Sequence, residues 1–213
     1  FACFCAAEQI DDSKLVKKEG IFYKIECDLP FTGTSVSFYE NGQKKTERNY
    51  LSGKKHGTSK MWSSKGVQLC EENSQHGKLH GLLTNWYESG NKLCEVNQLN
   101  DLDHGPYQYW HENGQLKEVG TYSNGKLNGI CTLWNEKGAK TAVENYENGV
   151  PHGLVQHWYE NGNMEFEKNY KNGELHGSVK TWYENGQQKV YSHFKDGLID
   201  GITRSWYENG NLE

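Results

Sequence analysis

The sequence predicts an all-β protein: an elongated, single-layer antiparallel sheet of tandem 24-residue β-hairpin repeats. Three observations predict it. The seven tryptophans, Trp62, Trp86, Trp110, Trp134, Trp158, Trp182 and Trp206, stand 24 residues apart, and Phe38 takes the same slot one period earlier. Gly33, Gly57, Gly81, Gly105, Gly129, Gly153, Gly177 and Gly201 keep that step, each followed nine residues later by Gly42, Gly66, Gly90, Gly114, Gly138, Gly162, Gly186 or Gly210. No window carries apolar residues at helical spacing. A strict period of this length marks a repeat array. Such arrays present a long surface to a partner more often than they build one catalytic pocket.

The elements follow in order along the chain. Residues 1–7, Phe1-Ala2-Cys3-Phe4-Cys5-Ala6-Ala7, read as the remnant of an export signal or lipoprotein segment. On that reading the cell envelope or periplasm is favoured over the cytoplasm, and a membrane is met only through an N-terminal lipid anchor. Residues 8–32 lie outside the period. In them Leu15-Val16-Lys17 and Ile21-Phe22-Tyr23-Lys24, around Glu19-Gly20, predict a hairpin that caps the open sheet edge. Residues 33–213 hold seven complete repeats and a partial eighth, read as one elongated domain. The last copy stops in mid-hairpin at Asn211-Leu212-Glu213, so that another strand or another chain would complete its edge.

One repeat illustrates the rest. Leu154 to Glu160 is rich in β-formers, Asn161-Gly162 is a strong hairpin signal, and Asn163 to Tyr170 forms the return strand. Lys171 to His176 is a second, connecting turn, and Gly177 opens the next copy. A two-residue type I′ turn at Asn161-Gly162 would place Tyr159 opposite Met164, Trp158 opposite Glu165 and His157 opposite Phe166; a bulged three-residue turn would shift this by one. The first register also sets Lys60 against Glu71, a favourable cross-strand pair. The anchor glycines follow tight loops, where a positive φ or a close strand approach excludes a Cβ. A third column, Gly53, Gly77, Gly125, Gly149, Gly173 and Gly197, marks the connecting turn and fails at Asp101, inside the irregular acidic stretch 97–103.

Neighbouring residues on a strand point to opposite faces. The unbroken tryptophan column is therefore expected on the inner, concave face. The tyrosine column (Tyr39, Tyr87, Tyr159, Tyr183, Tyr207), interrupted by Ser63, His111 and Asn135, is expected on the more exposed one.

Composition excludes several functions. Hydrophobic residues make up 34% and aromatic ones 13% of 213, which suits a thin sheet tiled by large side chains. The net charge is −5 and no basic run exceeds two residues, against sequence-independent nucleic-acid binding and against docking on anionic lipid. Cys3, Cys5, Cys27, Cys70, Cys94 and Cys131 form no CxxC pair. Cys70 and Cys94 hold equivalent slots about 9.5 Å apart, too far for a disulfide, and read as small buried thiols.

Trp-Tyr-Glu-Asn-Gly, a return strand ending in Asn-Tyr, and Asn-Gly-x-x-His-Gly, most complete from Trp158 to Gly177, resemble the bacterial variant of the MORN repeat. With Leu15-Val16, Gly20-Ile21-Phe22-Tyr23 and Pro30-Phe31-Thr32-Gly33 ahead of it, the chain over 14–213 is also similar to the YwqK-family antitoxins. The resemblance implies a protein-binding array that neutralises a partner toxin and has no catalytic residues.

The residues themselves agree that no enzyme is present. There is no GxGxxG after a strand, no phosphate-binding loop and no nucleophile elbow. Glu40, Glu88, Glu112, Glu160, Glu184 and Glu208 recur once per repeat, as scaffold does. His56, His80, His104, His152 and His176 all precede an anchor glycine. Ligands at about 9.5 Å cannot share one metal ion, and Asn128 and Asp200 fill the same slot, so hydrogen bonding in the turn is expected. His76 and His80 share a loop with no further ligand. No metal, cofactor or catalytic residue is expected.

The residues taken as partner-binding are Tyr87, Tyr109, Tyr159, Tyr183 and Tyr207, because half-exposed tyrosines are enriched in interfaces. The leading function is an antitoxin or immunity protein that covers a toxin. The alternatives are an envelope scaffold that self-assembles through its open C-terminal edge, or a glycan or cell-wall binding module.

Overall fold

The computed structural model describes residues 8–213; the segment read as an export remnant lies outside them. The described chain is almost entirely strand and turn, with a single 3₁₀ turn at Asp12–Lys14 and no α-helix. It falls into two compact units that meet in sequence between His104 and Gly105.

In the first unit Gly33–Phe38, Lys44–Leu51, Lys54–Lys55, Gly57–Trp62, Gln68–Gln75, Lys78–Trp86 and Lys92–Leu99 form an antiparallel meander. Its N-terminal edge departs from that rule: Glu8–Asp11 pairs parallel with Gly33–Phe38. Leu15–Lys18 and Ile21–Lys24 pair as a separate hairpin. Phe22 donates its N–H to the carbonyl of Gly53 at 2.8 Å and accepts from Phe31 N–H at 2.9 Å. The seam buries Ile10, Phe31 and Tyr50, with Leu15 and Phe22 against them. A Cβ on Gly53 would lie 2.3 Å from Ile21, so this close approach needs glycine.

The second unit opens in the strand Leu102–Trp110 and continues through Leu116–Ser123, Gly129–Trp134, Lys140–Glu147, Gly153–Trp158, Met164–Lys171, Glu174–Trp182 and Gln188–Lys195 to Arg204–Ser205, all antiparallel.

The two turns of each repeat differ from expectation in an instructive way. His157 faces Phe166 and Lys60 faces Glu71, as the first register requires, but Trp158 faces Met164 rather than Glu165. The reason lies in the Asn-Gly turn. Gly162 N–H donates to Tyr159 O and Tyr159 N–H to Asn163 O, both at 2.9 Å, and only Gly162 (φ 87°) has a positive φ. That is a type I turn closed by a left-handed glycine, which adds a bulge to the return strand. The type I′ turn sits instead in the connecting loop, where Asn172 (φ 53°) and Gly173 (φ 85°) are both left-handed and Lys171 pairs with Glu174. Asn100 and Asp101 hold the same conformation without a glycine. Asp101 compensates by accepting Leu79 N–H on Oδ1 at 2.7 Å.

The repeat motif can now be derived. After the type I′ turn the ladder is broken at His-Gly: Tyr50 pairs with Lys55 and Glu47 with Lys60, so one strand carries extra residues. The anchor glycine takes the positive φ of that bulge, 81° at Gly57 and 83° at Gly153. The preceding asparagine fills the gap. Asn49 Nδ2 donates to Thr58 O at 2.6 Å, Asn73 to Leu82 O at 3.0 Å and Asn169 to Ser178 O at 3.1 Å. A Cβ at Gly153 would meet Asn145 Nδ2 at 2.8 Å.

Two ladders then tie neighbouring repeats. At one end of the hairpins Tyr39, Tyr159 and Tyr183 donate their hydroxyls to the carbonyls of Trp62, Trp182 and Trp206. Asn41, Asn113, Asn161 and Asn185 donate Nδ2 to carbonyls one repeat on. At the other end Gly77, Gly149, Gly173 and Gly197 N–H groups reach back to Lys55, Leu127, Pro151 and Leu175.

Burial corrects the expected faces. All seven tryptophans are half-buried, as are Tyr39, Tyr87, Tyr159 and Tyr183, so neither column is the inner one. The least exposed column lies two residues after the anchor glycine, on the side of the strand opposite tryptophan. It contains Ser35, Ser59, Tyr107, Cys131, Val155 and Val179. Tryptophan stays on the outer face, where lysines of the preceding return strand lie over it: Lys44 over Trp62 at 5.3 Å and Lys140 over Trp158 at 5.9 Å.

Candidate protein-binding face

The inner face of the second unit gathers the densest chemistry. Tyr107, almost fully buried, pairs directly with Gly120, and a Cβ there would lie under 3.0 Å from the tyrosine ring. Glycine at this slot makes room for the ring; Arg48, Glu72 and Glu144 occupy it in other repeats. Tyr107 packs against Tyr122 with centroids 4.6 Å apart and the rings tilted by 36°, and meets Tyr109 edge-on at 5.6 Å. Two repeats further on, His157 stacks on Phe166 at 4.3 Å, and the Lys168 ammonium lies 4.0 Å from the Phe166 centroid.

Two carboxylates sit among these rings. Glu118 Oε1 accepts the Tyr107 hydroxyl at 2.6 Å and the Cys131 thiol at 3.4 Å. Glu144 accepts the Tyr146 hydroxyl on Oε2 at 2.6 Å, and its Oε1 lies 2.7 Å from His157 Nε2. Cys131 lies between them, cross-strand from Glu144. Burial, reinforced by the two carboxylates, pushes the Cys131 thiol up from 9.0 to about 12, although its hydrogen bond with Tyr107 pulls the other way. Burial and then the bonds to Cys131 and Glu118 raise Tyr107; burial and the Glu144 bond raise Tyr146. These groups hold their protons. None of them is a nucleophile in waiting.

The five tyrosines named from sequence separate. Tyr109 lies on this face. Tyr159 and Tyr183 stand at the hairpin ends with their hydroxyls given to the next repeat, Tyr87 takes the same place in its own hairpin, and Tyr207 is 52% exposed. His111, which interrupts the tyrosine column, keeps the rung by placing Nε2 2.8 Å from Trp134 O. Ser63 and Asn135 turn inward and hold their own loops instead. Sequence reasoning missed Tyr107, Tyr122, Tyr146, Phe166 and Tyr170. The Asn-Tyr that ends their return strands was the signal available for Tyr146 and Tyr170.

The histidine column behaves as turn chemistry. His56 Nδ1 and His152 Nδ1 lie 3.5 Å from the N–H groups of His76 and Asn172, and Asn128 Oδ1 lies 3.4 Å from that of Asn148. Among the described residues no group of three or more His, Cys, Asp or Glu side chains is placed to hold a metal ion.

The family comparison fits this geometry. A repeat family described as MORN repeat variant matches residues 31–51, 103–124, 151–172, 175–196 and 199–213. This is a MORN-repeat protein. MORN repeats are typically protein- or membrane-binding repeats and are not an enzyme family. No curated protein matches the chain. The stretches 52–102 and 125–150, which the repeat family does not match, keep the same turns and bulges, the first departing at Ser63, Ser89 and Asp101.

Proposed function

We propose that this MORN-repeat protein is a non-enzymatic binder whose second unit, Gly105–Glu213, holds a protein partner on its inner face. The observation that carries the reading is the aromatic cluster of Tyr109, Tyr122, His157 and Phe166, supported from beneath by the buried Tyr107 and arranged around two carboxylates. Rigid aromatic anchors of this kind dominate binding energy at protein interfaces. The hairpin-end tyrosines of the same unit, Tyr159, Tyr183 and Tyr207, form its rim. In its finer form the partner is a toxic effector and the chain an antitoxin or immunity protein that occludes it. The resemblance of the lead-in and repeats to such proteins supports that form.

The test is capture of partners from the source cell with the whole chain, followed by variants. Tyr122→Ala with Phe166→Ala should release a stoichiometric partner, while Tyr159→Phe with Tyr183→Phe should retain it. Retention by the first pair would overturn the assignment of the face. If the captured protein does not arrest growth when expressed alone, or the chain does not relieve the arrest, the antitoxin form falls and the binder remains.

A further inference from the structure

We infer that the partner meets this face with a cationic segment, Lys or Arg side chains seated over Glu118 and Glu144. The inference rests on the proposed binding face and adds the chemistry of what occupies it. Its basis is a contrast between equivalent positions. Glu72 in the first unit and Glu144 in the second hold the same slot, three periods of 24 residues apart. Glu72 is neutralised by Lys55, whose ammonium lies 2.6 Å from it. The residue equivalent to Lys55 for Glu144 is Leu127, and no lysine or arginine among the described residues pairs with Glu144 or Glu118. The first unit's other inner-face charge, Arg48, is likewise matched, by Asp12 at 2.9 Å.

Glu118 and Glu144 are instead supplied with hydroxyl, thiol and imidazole donors. These hold the oxygens in place without cancelling both charges. The Glu144 side chain is only 19% exposed, so its charge is poorly served by water as well. Lys168, the nearest cation on this face of the following repeat, is drawn over Phe166. A carboxylate pair withdrawn from water and left without a counter-charge is costly. An incoming ammonium or guanidinium would offset that cost, and the surrounding tyrosine rings suit the flat faces and aliphatic stems of such side chains. Charge complementarity of this sort also suppresses wrong partners.

The experiment uses the whole chain, labelled for amide NMR at low salt, and three blocked ten-residue peptides in which Ser alternates with Lys, Gln or Glu. The Lys peptide is expected to shift the amides around Glu118, Cys131, Glu144 and Tyr146, with at least tenfold weaker effects from the Gln peptide and none from the Glu peptide. Glu118→Gln with Glu144→Gln should weaken the Lys peptide at least tenfold, and Glu72→Gln should not. The unchanged spectrum of residues outside the face reports that each variant is folded. Equal binding of Lys and Gln peptides on the face would overturn the cationic inference and leave the face itself standing. So would Lys-peptide binding that survives the double substitution. Shifts confined to other acidic stretches such as 97–103, or no shifts at all, would overturn it too, and the Tyr122 and Phe166 capture experiment would then decide the face independently.

Discussion

The two units share one repeat and use its inner face differently. In Gly33–Trp86 the inner slots hold Ser35, Ser37, Thr46, Ser59 and Ser74, the one tyrosine among them, Tyr50, is covered by Phe22 and Phe31, and the charges are closed into pairs, Arg48 with Asp12 and Lys55 with Glu72. In Tyr107–Phe194 the same slots hold Tyr107, Tyr109, Tyr122, Tyr146, Phe166 and Tyr170, with Glu118 and Glu144 unmatched by any Lys or Arg among the described residues. The backbone cannot explain the difference, because the turns, bulges and inter-repeat ladders are the same. What differs is the content of slots that the scaffold leaves free. One half is internally satisfied. The other carries half-buried aromatic area and open charge of the kind found at interfaces.

The comparison can be broken most directly at its core slot. Tyr107→Ala should destabilise the second unit by about 3–5 kcal/mol, as large-to-small core changes do. Ser59→Ala, at the equivalent slot of the first unit, should be neutral or slightly stabilising, because the Ser59 hydroxyl is buried with no hydrogen-bond partner. Urea midpoints of the two variants, with hydrogen exchange to localise the effect, check both.

A smaller effect is expected from the ladder. Tyr159→Phe and Tyr183→Phe should each lower stability by about 0.5–1.5 kcal/mol, through loss of one hydroxyl bond at 2.9 Å.

Alkaline pH should sharpen the contrast in a definite direction. Cys131, Tyr107 and Tyr146 have folded-state values raised above their ordinary ones, so the folded state holds these protons more tightly than the unfolded chain does. Stability is therefore fully present below pH 9 and falls as pH rises from 9.0 toward about 12. Thermal midpoints across that range should decline, and Cys131→Ala should make the decline shallower. A flat profile would contradict the buried, protonated cluster.

The smallest effect belongs to the charges. Glu72→Gln should cost under about 1 kcal/mol, since its partly exposed pair with Lys55 is screened by solvent. Glu144→Gln should be neutral or mildly stabilising in the free protein. Chemical denaturation of both variants distinguishes the two environments.

Much of the fold was legible because a period of 24 repeats every local cue many times over. A Trp-x-x-x-Gly spacing marked each hairpin from Trp62 on, and Gly-x-x-x-Gly marked every connection except the one at Asp101. The register at Trp158 stayed open between two turns for a local reason: Asn-Gly reads as type I′ by composition, yet the tyrosine before it closes a type I turn with a bulge, and the type I′ geometry falls to Asn172-Gly173. The inner face was misread for a different reason. A repeating column identifies what the scaffold needs, so tryptophan and tyrosine stood out. The binding-type residues sit in slots that vary between repeats, such as Tyr107 where others have serine, cysteine or valine. Gly120 was a visible clue, lying outside all three glycine columns, but only the direct pairing with Tyr107 shows why it is there. The parallel pairing of Glu8–Asp11 had no sequence signal, since four residues carry no periodicity.

The central claim is that the partner sits on the inner face of the second unit. Site-specific photocrosslinking in the source cell tests it most directly, with a photoreactive phenylalanine placed at Tyr122 or Tyr170 and, as controls, at Thr46 or Met61 of the first unit. The account predicts one crosslinked protein partner from Tyr122 and Tyr170 and none from Thr46 and Met61. Crosslinks that arise from the first unit alone, or equally from both, would contradict it.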